Sequence, residues 1–164
     1  MRLRAKRALE PEVAGDPRSI RQAALGLLAR RDYASSELGR KLKERGFDAP
    51  AIGQVLQELA AERLLDDDRF IEHFVSYHTA RGQGPIRIAA ELRQRSMSSE
   101  SIDRHLDAVS DWPEQARTAR RKKFGSSVPK DFKSRARQAR FLEYRGFSAE
   151  HIRAALQEEI AAED

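Results

Sequence analysis

Shifting this 164-residue chain by fifty residues lays it over itself twice, and such an internal repeat constrains the fold more than any other feature of a sequence. Leu42, Leu92 and Leu142 coincide, as do Arg45, Arg95 and Arg145; Gly46, Ser96 and Gly146; and Phe47, Met97 and Phe147. Asp48, Ser98 and Ser148 come next, followed at equal distances by Ile52, Ile102 and Ile152 and by Leu56, Leu106 and Leu156. The block reads as a helix end, a tight turn and a helix start. An Arg in a last helical turn meets the negative end of the dipole, and Gly or Ser relieves the backbone at the stop. Asp or Ser suits an N-cap, with Phe or Met before it placed to pack on the Ile at the fourth helical position. Ile and Leu four apart then make one apolar stripe.

The remaining punctuation gives three helices per unit. In the first, Asp16-Pro17 opens a helix to about Arg31, Ser35 opens one ending at Arg45, and Asp48-Ala49-Pro50 opens one ending near Arg63. In the second, Asp66 to Asp68 open a helix to about Arg81, Gly82-Gln83-Gly84 breaks it, Pro85 restarts the chain, and Ser98 begins a helix to about Ser110. In the third, Asp111-Trp112-Pro113-Glu114 is a cap, Gly125 a stop, Pro129 and Asp131 introduce a long helix, and Ser148 opens the ninth. No stretch alternates with period two, so no sheet is predicted. The expected fold is all-α: a flexible basic arm over 1–15, repeats over 16–64, 65–110 and 111–160, and an acidic tail over 161–164. Units this small bury little surface alone, so they should stack into an elongated curved rod whose concave face suits a long partner.

Composition narrows the function. Charged residues make up 35% of the chain and aromatic ones 7%, which fits several small cores better than one deep core. The chain has no cysteine, so thiolate metal sites, disulfides and cysteine nucleophiles are excluded, in keeping with a reducing cytoplasm. Met1 to Leu9 has the charge of a signal-peptide head, but Glu10-Pro11-Glu12 stands where an apolar region should begin, so it reads as a mobile basic arm. The longest apolar stretch, Ala23 to Ala29, is far too short to cross a bilayer.

The residues that could carry catalysis do not assemble into a motif. His73 and His78 are five apart, about 140° around a helix, and His105 and His151 complete no metal spacing. Asp66-Asp67-Asp68 invites a magnesium reading, yet three consecutive acids splay around a helix start, where they satisfy free N–H groups. Arg81-Gly82-Gln83-Gly84-Pro85 follows no strand and lacks the lysine and hydroxyl of a P-loop, so it reads as a sharp interhelical turn. No serine lies in a nucleophile elbow. The chain is expected to be no enzyme and to need no metal or cofactor.

Charge is unevenly spread. From Arg117 to Arg140 there are ten basic residues, Arg117, Arg120, Arg121, Lys122, Lys123, Lys130, Lys133, Arg135, Arg137 and Arg140, against the single acid Asp131. From Asp48 to Glu72, seven acids face two bases, and Glu158, Glu159, Glu163 and Asp164 add negative charge at the end. Helix dipoles account for Arg120 to Lys123, and for Arg45, Arg95 and Arg145, but not for the five bases beyond Gly125. Those point to a polyanion or an acidic protein surface as partner.

Four ordered stretches resemble the RecX family, the bacterial regulators of the RecA recombinase. They are Leu27-Leu28-Ala29-Arg30-Arg31-Asp32-Tyr33 with Glu37-Leu38 and Lys41-Leu42; Leu65-Asp66-Asp67-Asp68-Arg69-Phe70; Gly82-Gln83-Gly84-Pro85 with Arg87-Ile88 and Glu91-Leu92; and Lys123-Phe124-Gly125 with Arg140-Phe141-Leu142 and Tyr144-Arg145-Gly146-Phe147. The likeness runs from about Ser19 to Ile160. It implies tandem three-helix units, no enzymatic activity, and binding in the groove of the RecA–DNA filament, which lowers ATP hydrolysis, strand exchange and coprotease action and so modulates recombination, repair and the SOS response. Family members often have Ser where this chain has Ala34, three residues before Glu37; the cap is expected to pass to Ser35, at a cost of about 1 kcal/mol. The contacts expected on this reading are the ten bases from Arg117 to Arg140 together with Arg40, Lys41, Arg87 and Arg93 on the second helices. The rival reading is a direct DNA binder whose units resemble helix-turn-helix modules. It is weakened by a third helix from Asp48 to Glu62 with no Lys or Arg, and by one in the second unit with only Arg104.

Overall fold

The computed structural model describes residues 9–157, so Met1 to Arg7 and the acidic residues from Glu158 onward lie outside the described residues. Among the described residues there are ten helices and no strand: α1 (Pro11–Ala14), α2 (Pro17–Leu28), α3 (Ser35–Glu44), α4 (Ala49–Ala61), α5 (Asp67–Ala80), α6 (Pro85–Gln94), α7 (Ser99–Asp107), α8 (Trp112–Phe124), α9 (Phe132–Arg145) and α10 (Ala149–Ala155). The nine expected helices are α2 to α10, three to each repeat. They form two compact bodies, one ending at Phe70 and one beginning at Ile71.

The repeated block closes each second helix in the same way. Phe47, Met97 and Phe147 donate their N–H groups to the carbonyls of Leu42, Leu92 and Leu142, at 3.3, 3.2 and 3.1 Å. The residue between, Gly46, Ser96 or Gly146, donates at 2.9 Å to Lys43, Arg93 or Glu143. This pair of bonds satisfies the last carbonyls of a helix and requires a left-handed residue at the stop. The φ values there are +99°, +60° and +91°, so Ser96 holds a conformation that glycine adopts at less cost. The leucine that accepts the longer bond is fully buried each time, which couples the turn to the core.

In the first body, Ile20, Ala24 and Leu27 of α2 meet Leu38 and Leu42 of α3 and Ile52, Val55 and Leu59 of α4, with Tyr33 and Leu65 closing the cluster. The spacing of three and four along each helix is the period that puts these side chains on one face. The start of the body departs from the expected flexible arm. Pro11–Ala14 is helical, Ala14 is buried, and the Asp48 N–H donates to the Ala14 carbonyl at 2.9 Å.

The caps hold with two corrections. Asp16, Ser98, Asp111, Asp131 and Ser148 accept from backbone N–H groups two or three residues on. Asp48 has cap dihedrals but makes no such bond; its carboxylate lies over Gly15, 3.2 Å from where a β-carbon would stand there. The expected transfer of the α3 cap to Ser35 does not occur either. Ala34 holds the cap position, and Ser35 instead donates its N–H and its hydroxyl to Asp67, at 2.8 and 3.0 Å. Asp66 meanwhile accepts from the Arg69 N–H at 3.0 Å and caps α5. Two of the three consecutive acids are therefore caps, for two different helices. Replacing Asp67 with Ala should cost about 1–2 kcal/mol of first-body stability in a urea melt. Adding Ala34→Ser should recover part of that loss, because α3 then caps itself.

In the second body the α5–α6 turn and the α9–α10 turn meet backbone to backbone. Gly84 donates to the Arg145 carbonyl at 2.8 Å and Ile86 to the Gly146 carbonyl at 3.0 Å. A β-carbon on Gly84 would stand 2.4 Å from the Gly146 carbonyl, and one on Gly146 would stand 2.6 Å from the Arg87 nitrogen. The Gly82-Gln83-Gly84-Pro85 segment is thus an interhelical turn, as expected, and also the seam joining the second repeat to the third. Below it, Ala116, Ala119, Leu142, Phe147 and Ala155 form the core of the third repeat.

Candidate macromolecule-binding face

The basic segment begins where α8 is tightly anchored. Asp111 accepts from the Glu114 N–H at 2.8 Å, and the Trp112 indole donates to the Leu106 carbonyl at 3.1 Å. Glu114 pairs with both Arg117 and Arg121, at 3.1 and 3.2 Å, so an acid just outside the ten-base window offsets two of its charges. Arg120 is set apart from the other bases. It is 2% exposed, and its guanidinium donates to the carbonyls of Ser127, Ser126 and Gly125 at 2.9, 3.1 and 3.4 Å. A charge satisfied in this way braces the α8–α9 loop and is not free to meet a partner. Arg135 reaches the Leu156 carbonyl at 3.2 Å and ties α9 to the end of α10.

Lys122, Lys123, Lys130, Lys133, Arg137 and Arg140 remain exposed. Arg137 lies over the Phe124 ring at 5.4 Å, and Phe124 packs edge-on against Phe141, so the exposed charges sit on a small aromatic base. Among the other expected contacts, Arg87 pairs with Glu91 at 3.1 Å and Arg93 is exposed on α6. Arg40 and Lys41 belong to the first body and share Glu44, at 3.3 and 4.0 Å. The structure therefore gathers part of the expected set. Arg117, Arg121 and Lys130 line one depression of about 410 Å³ with Ser126 and Ser127. Lys122, Lys123 and Arg87 line a larger one, where they meet Arg81 and Arg145, which sequence reasoning left out.

The repeated arginines are not equivalent. Arg95 donates to the Glu91 carbonyl of its own helix at 2.9 Å and covers Phe74, as the dipole argument expects. Arg145 instead donates to the Arg81 carbonyl at 3.0 Å, across the seam.

Among the described residues, no three histidine or acidic side chains gather as metal ligands. Two histidines hold structural places. His151 completes a capping box: its Nδ1 accepts from the Ser148 N–H at 3.4 Å, while its own N–H donates to the Ser148 hydroxyl at 3.2 Å. That role needs the neutral ring. Burial pushes His151 below its ordinary value, opposed by the charge of Glu150. Burial also lowers His78, which packs against Phe74, and this outweighs the nearby Glu91. For both, the unfolded chain takes up its proton first as pH falls. Their contribution is level above the ordinary histidine value and shrinks as pH drops through it toward the folded value. Urea melts at about pH 7.5 and 5.5 should show lower stability at the acid value, and the His78→Gln/His151→Gln variant should show a smaller drop.

The fold defined so far is a tandem array of three-helix units with a basic, loop-braced third repeat. Three family models match it in order, described as the first, second and third three-helix domains of RecX, over residues 21–59, 66–106 and 111–156. The regulatory protein RecX of Halorhodospira halophila is 49% identical over 145 residues, covering 88% of this chain and 90% of that protein. The regulatory protein RecX of Ectopseudomonas mendocina is 44% identical over 138 residues, covering 84% and 92%. The crystal structure of RecX from Lactobacillus salivarius shares the fold with a TM-score of 0.77 at 20% identity, covering 88% of this chain and 96% of that one. The chain belongs to the RecX family. Among the described residues, no helix is long and apolar enough to cross a membrane.

Proposed function

We propose that this chain is a cytoplasmic, non-catalytic regulator that binds the RecA–DNA filament and lowers its ATP hydrolysis, strand exchange and coprotease action. The observation that carries the reading is family membership over all three repeats, joined to an exposed basic face held on a braced scaffold. Domains over 16–64, 65–110 and 111–160 would each give a modest contact, and several modest contacts along a filament multiply into avidity. Bridging successive subunits in this way obstructs the ATPase cycle without any chemistry by the regulator.

The test adds the protein to RecA filaments already formed on excess single-stranded DNA and follows ATP hydrolysis. Suppression is expected at protein levels well below those that would coat the DNA. Unchanged hydrolysis at every level would remove the regulator reading.

A further inference from the structure

The smaller depression, on the third repeat, sets two serine hydroxyls among cations. Its volume is about 410 Å³, and Arg117, Arg120, Arg121 and Lys130 line it together with Ser126 and Ser127. No acidic residue does. Both serines are exposed and belong to the stretch 125–131, which lies in no helix. Arg120 holds that stretch from within, through the carbonyls of Gly125, Ser126 and Ser127. The backbone carbonyls are thus committed, whereas neither serine hydroxyl takes part in a hydrogen bond among the described residues. Ser98 and Ser148, by contrast, spend their hydroxyls on helix caps.

The cations around these hydroxyls are only partly balanced. Arg117 and Arg121 share one carboxylate, that of Glu114, at 3.1 and 3.2 Å, so two guanidiniums divide a single negative charge. Arg117 also keeps a buried Nε–H with no acceptor among the described residues. Lys130 is exposed. A phosphoryl group on either hydroxyl would supply about −1.5 to −2 charges and three acceptor oxygens, in the depression that these side chains line. Arginine pairs phosphate with short, charge-assisted and often bidentate bonds, so the group competes well with Glu114.

We propose that the Ser126–Ser127 pair is a phosphorylation site, whose phosphoserine docks on Arg117, Arg121 and Lys130 and weakens the basic face toward its partner. Arg120-Arg121-Lys122-Lys123 precedes the pair by two residues, a charge pattern that a basophilic protein kinase selects. In the transfer the serine Oγ attacks the γ-phosphorus of ATP. The Oγ–P bond forms as the bond to the ADP oxygen breaks, and the hydroxyl proton passes to the base of the kinase. A free phosphate would meet the same cations, but the tether gives the serine phosphate a high effective concentration there. Once docked, one phosphoryl group cancels about two of the positive charges between Arg117 and Arg140. The weakening of the partner contact rests on the filament reading; the site itself does not.

Two arms of the experiment need no RecA. Mass spectrometry of the chain recovered from growing and stationary cells that encode it should find a phosphopeptide covering Ser126 and Ser127. Full chains with phosphoserine encoded at position 126 or 127 should melt about 2–4 °C above the parent. That rise should vanish in the Arg117→Gln/Arg121→Gln background, with circular dichroism showing unchanged helix content. No such phosphopeptide, no rise at either position, or a rise that survives the double substitution would overturn the proposal. Inorganic phosphate raising the midpoint of the unmodified chain by as much would overturn it in favour of a free anion. The third arm follows RecA ATP hydrolysis. Half-suppression should need about three to ten times more of the phosphorylated chain, while Ser126→Ala/Ser127→Ala should match the parent. Equal suppression by phosphorylated and parent chains would overturn the regulatory role. No suppression by either is a failure of the filament reading and not of the site, which the first two arms decide.

Discussion

Replacing Gly84 with alanine should destabilise the second body by about 3–5 kcal/mol, or abolish its cooperative unfolding, while the first body still melts as in the parent. The added carbon would stand 2.4 Å from the Gly146 carbonyl carbon and oxygen and 2.5 Å from the Phe147 nitrogen. All three are backbone atoms, so no rotamer change relieves the overlap. The turns must part, and parting breaks the Gly84 and Ile86 hydrogen bonds across the seam, each worth about 1 kcal/mol net and more once their groups are stranded. Gly146 has no room to retreat. It sits at φ +91° with the Arg87 backbone on its other side. Hydrogen exchange should localise the loss, with the amides of Gly84, Ile86 and Phe147 losing protection first. The same change at Gly26 or Gly53 is the control, since neither site has an atom within 4 Å of an added carbon. Both lie inside helices, where alanine should add about 0.5–1 kcal/mol. One substitution with opposite signs at different sites separates steric closure from helix propensity.

Why the sequence showed this seam only in part follows from what periodicity encodes. The fifty-residue repeat contains both turns, and Gly146 was readable as a helix stop because the residues that make the stop are all local. Gly84 was readable as a turn for the same reason. That the turns face one another depends on two segments about sixty residues apart, and a glycine needed for close approach looks in sequence like a glycine needed for a bend. The caps divide along the same line. Ser98, Ser148, Asp111 and Asp131 act within three residues of their own helix and were legible, whereas Asp67 caps α3 from thirty-two residues away. Propensity correctly assigned the three acids to caps but could not say that Asp67 serves another helix. Asp48 shows the reverse, a good cap residue drawn off by a neighbouring segment.

The candidate site follows the same logic. Ten bases in twenty-four residues mark a charged segment, but charge counting treats them alike. Arg120 turned inward because the loop after Gly125 presents three carbonyls that need donors, a demand set by loop geometry. Arg81 and Arg145 entered the larger depression through tertiary packing.

Reversing Lys122, Lys123, Lys133 and Arg137 to Glu together should raise the protein level needed for half-suppression of RecA ATP hydrolysis by about tenfold or more. These four are exposed, so the fold does not depend on them and a melt should shift little. An exposed charge contact contributes about 0.2–1 kcal/mol; four lost at once, with repulsion replacing attraction, reach or exceed the 1.4 kcal/mol that a factor of ten requires. Reversing Arg40 and Lys41 should do less, because Glu44 already offsets part of their charge. Arg120→Glu belongs to another class: it buries an acid among carbonyls and should unfold the α8–α9 loop, so its loss of activity would come with loss of structure. The diagnostic pattern is a four-residue variant that melts like the parent and fails to suppress. Full suppression by that variant would move the filament contacts off the third repeat, and the exposed bases of α3 and α6 would then be the next surfaces to reverse.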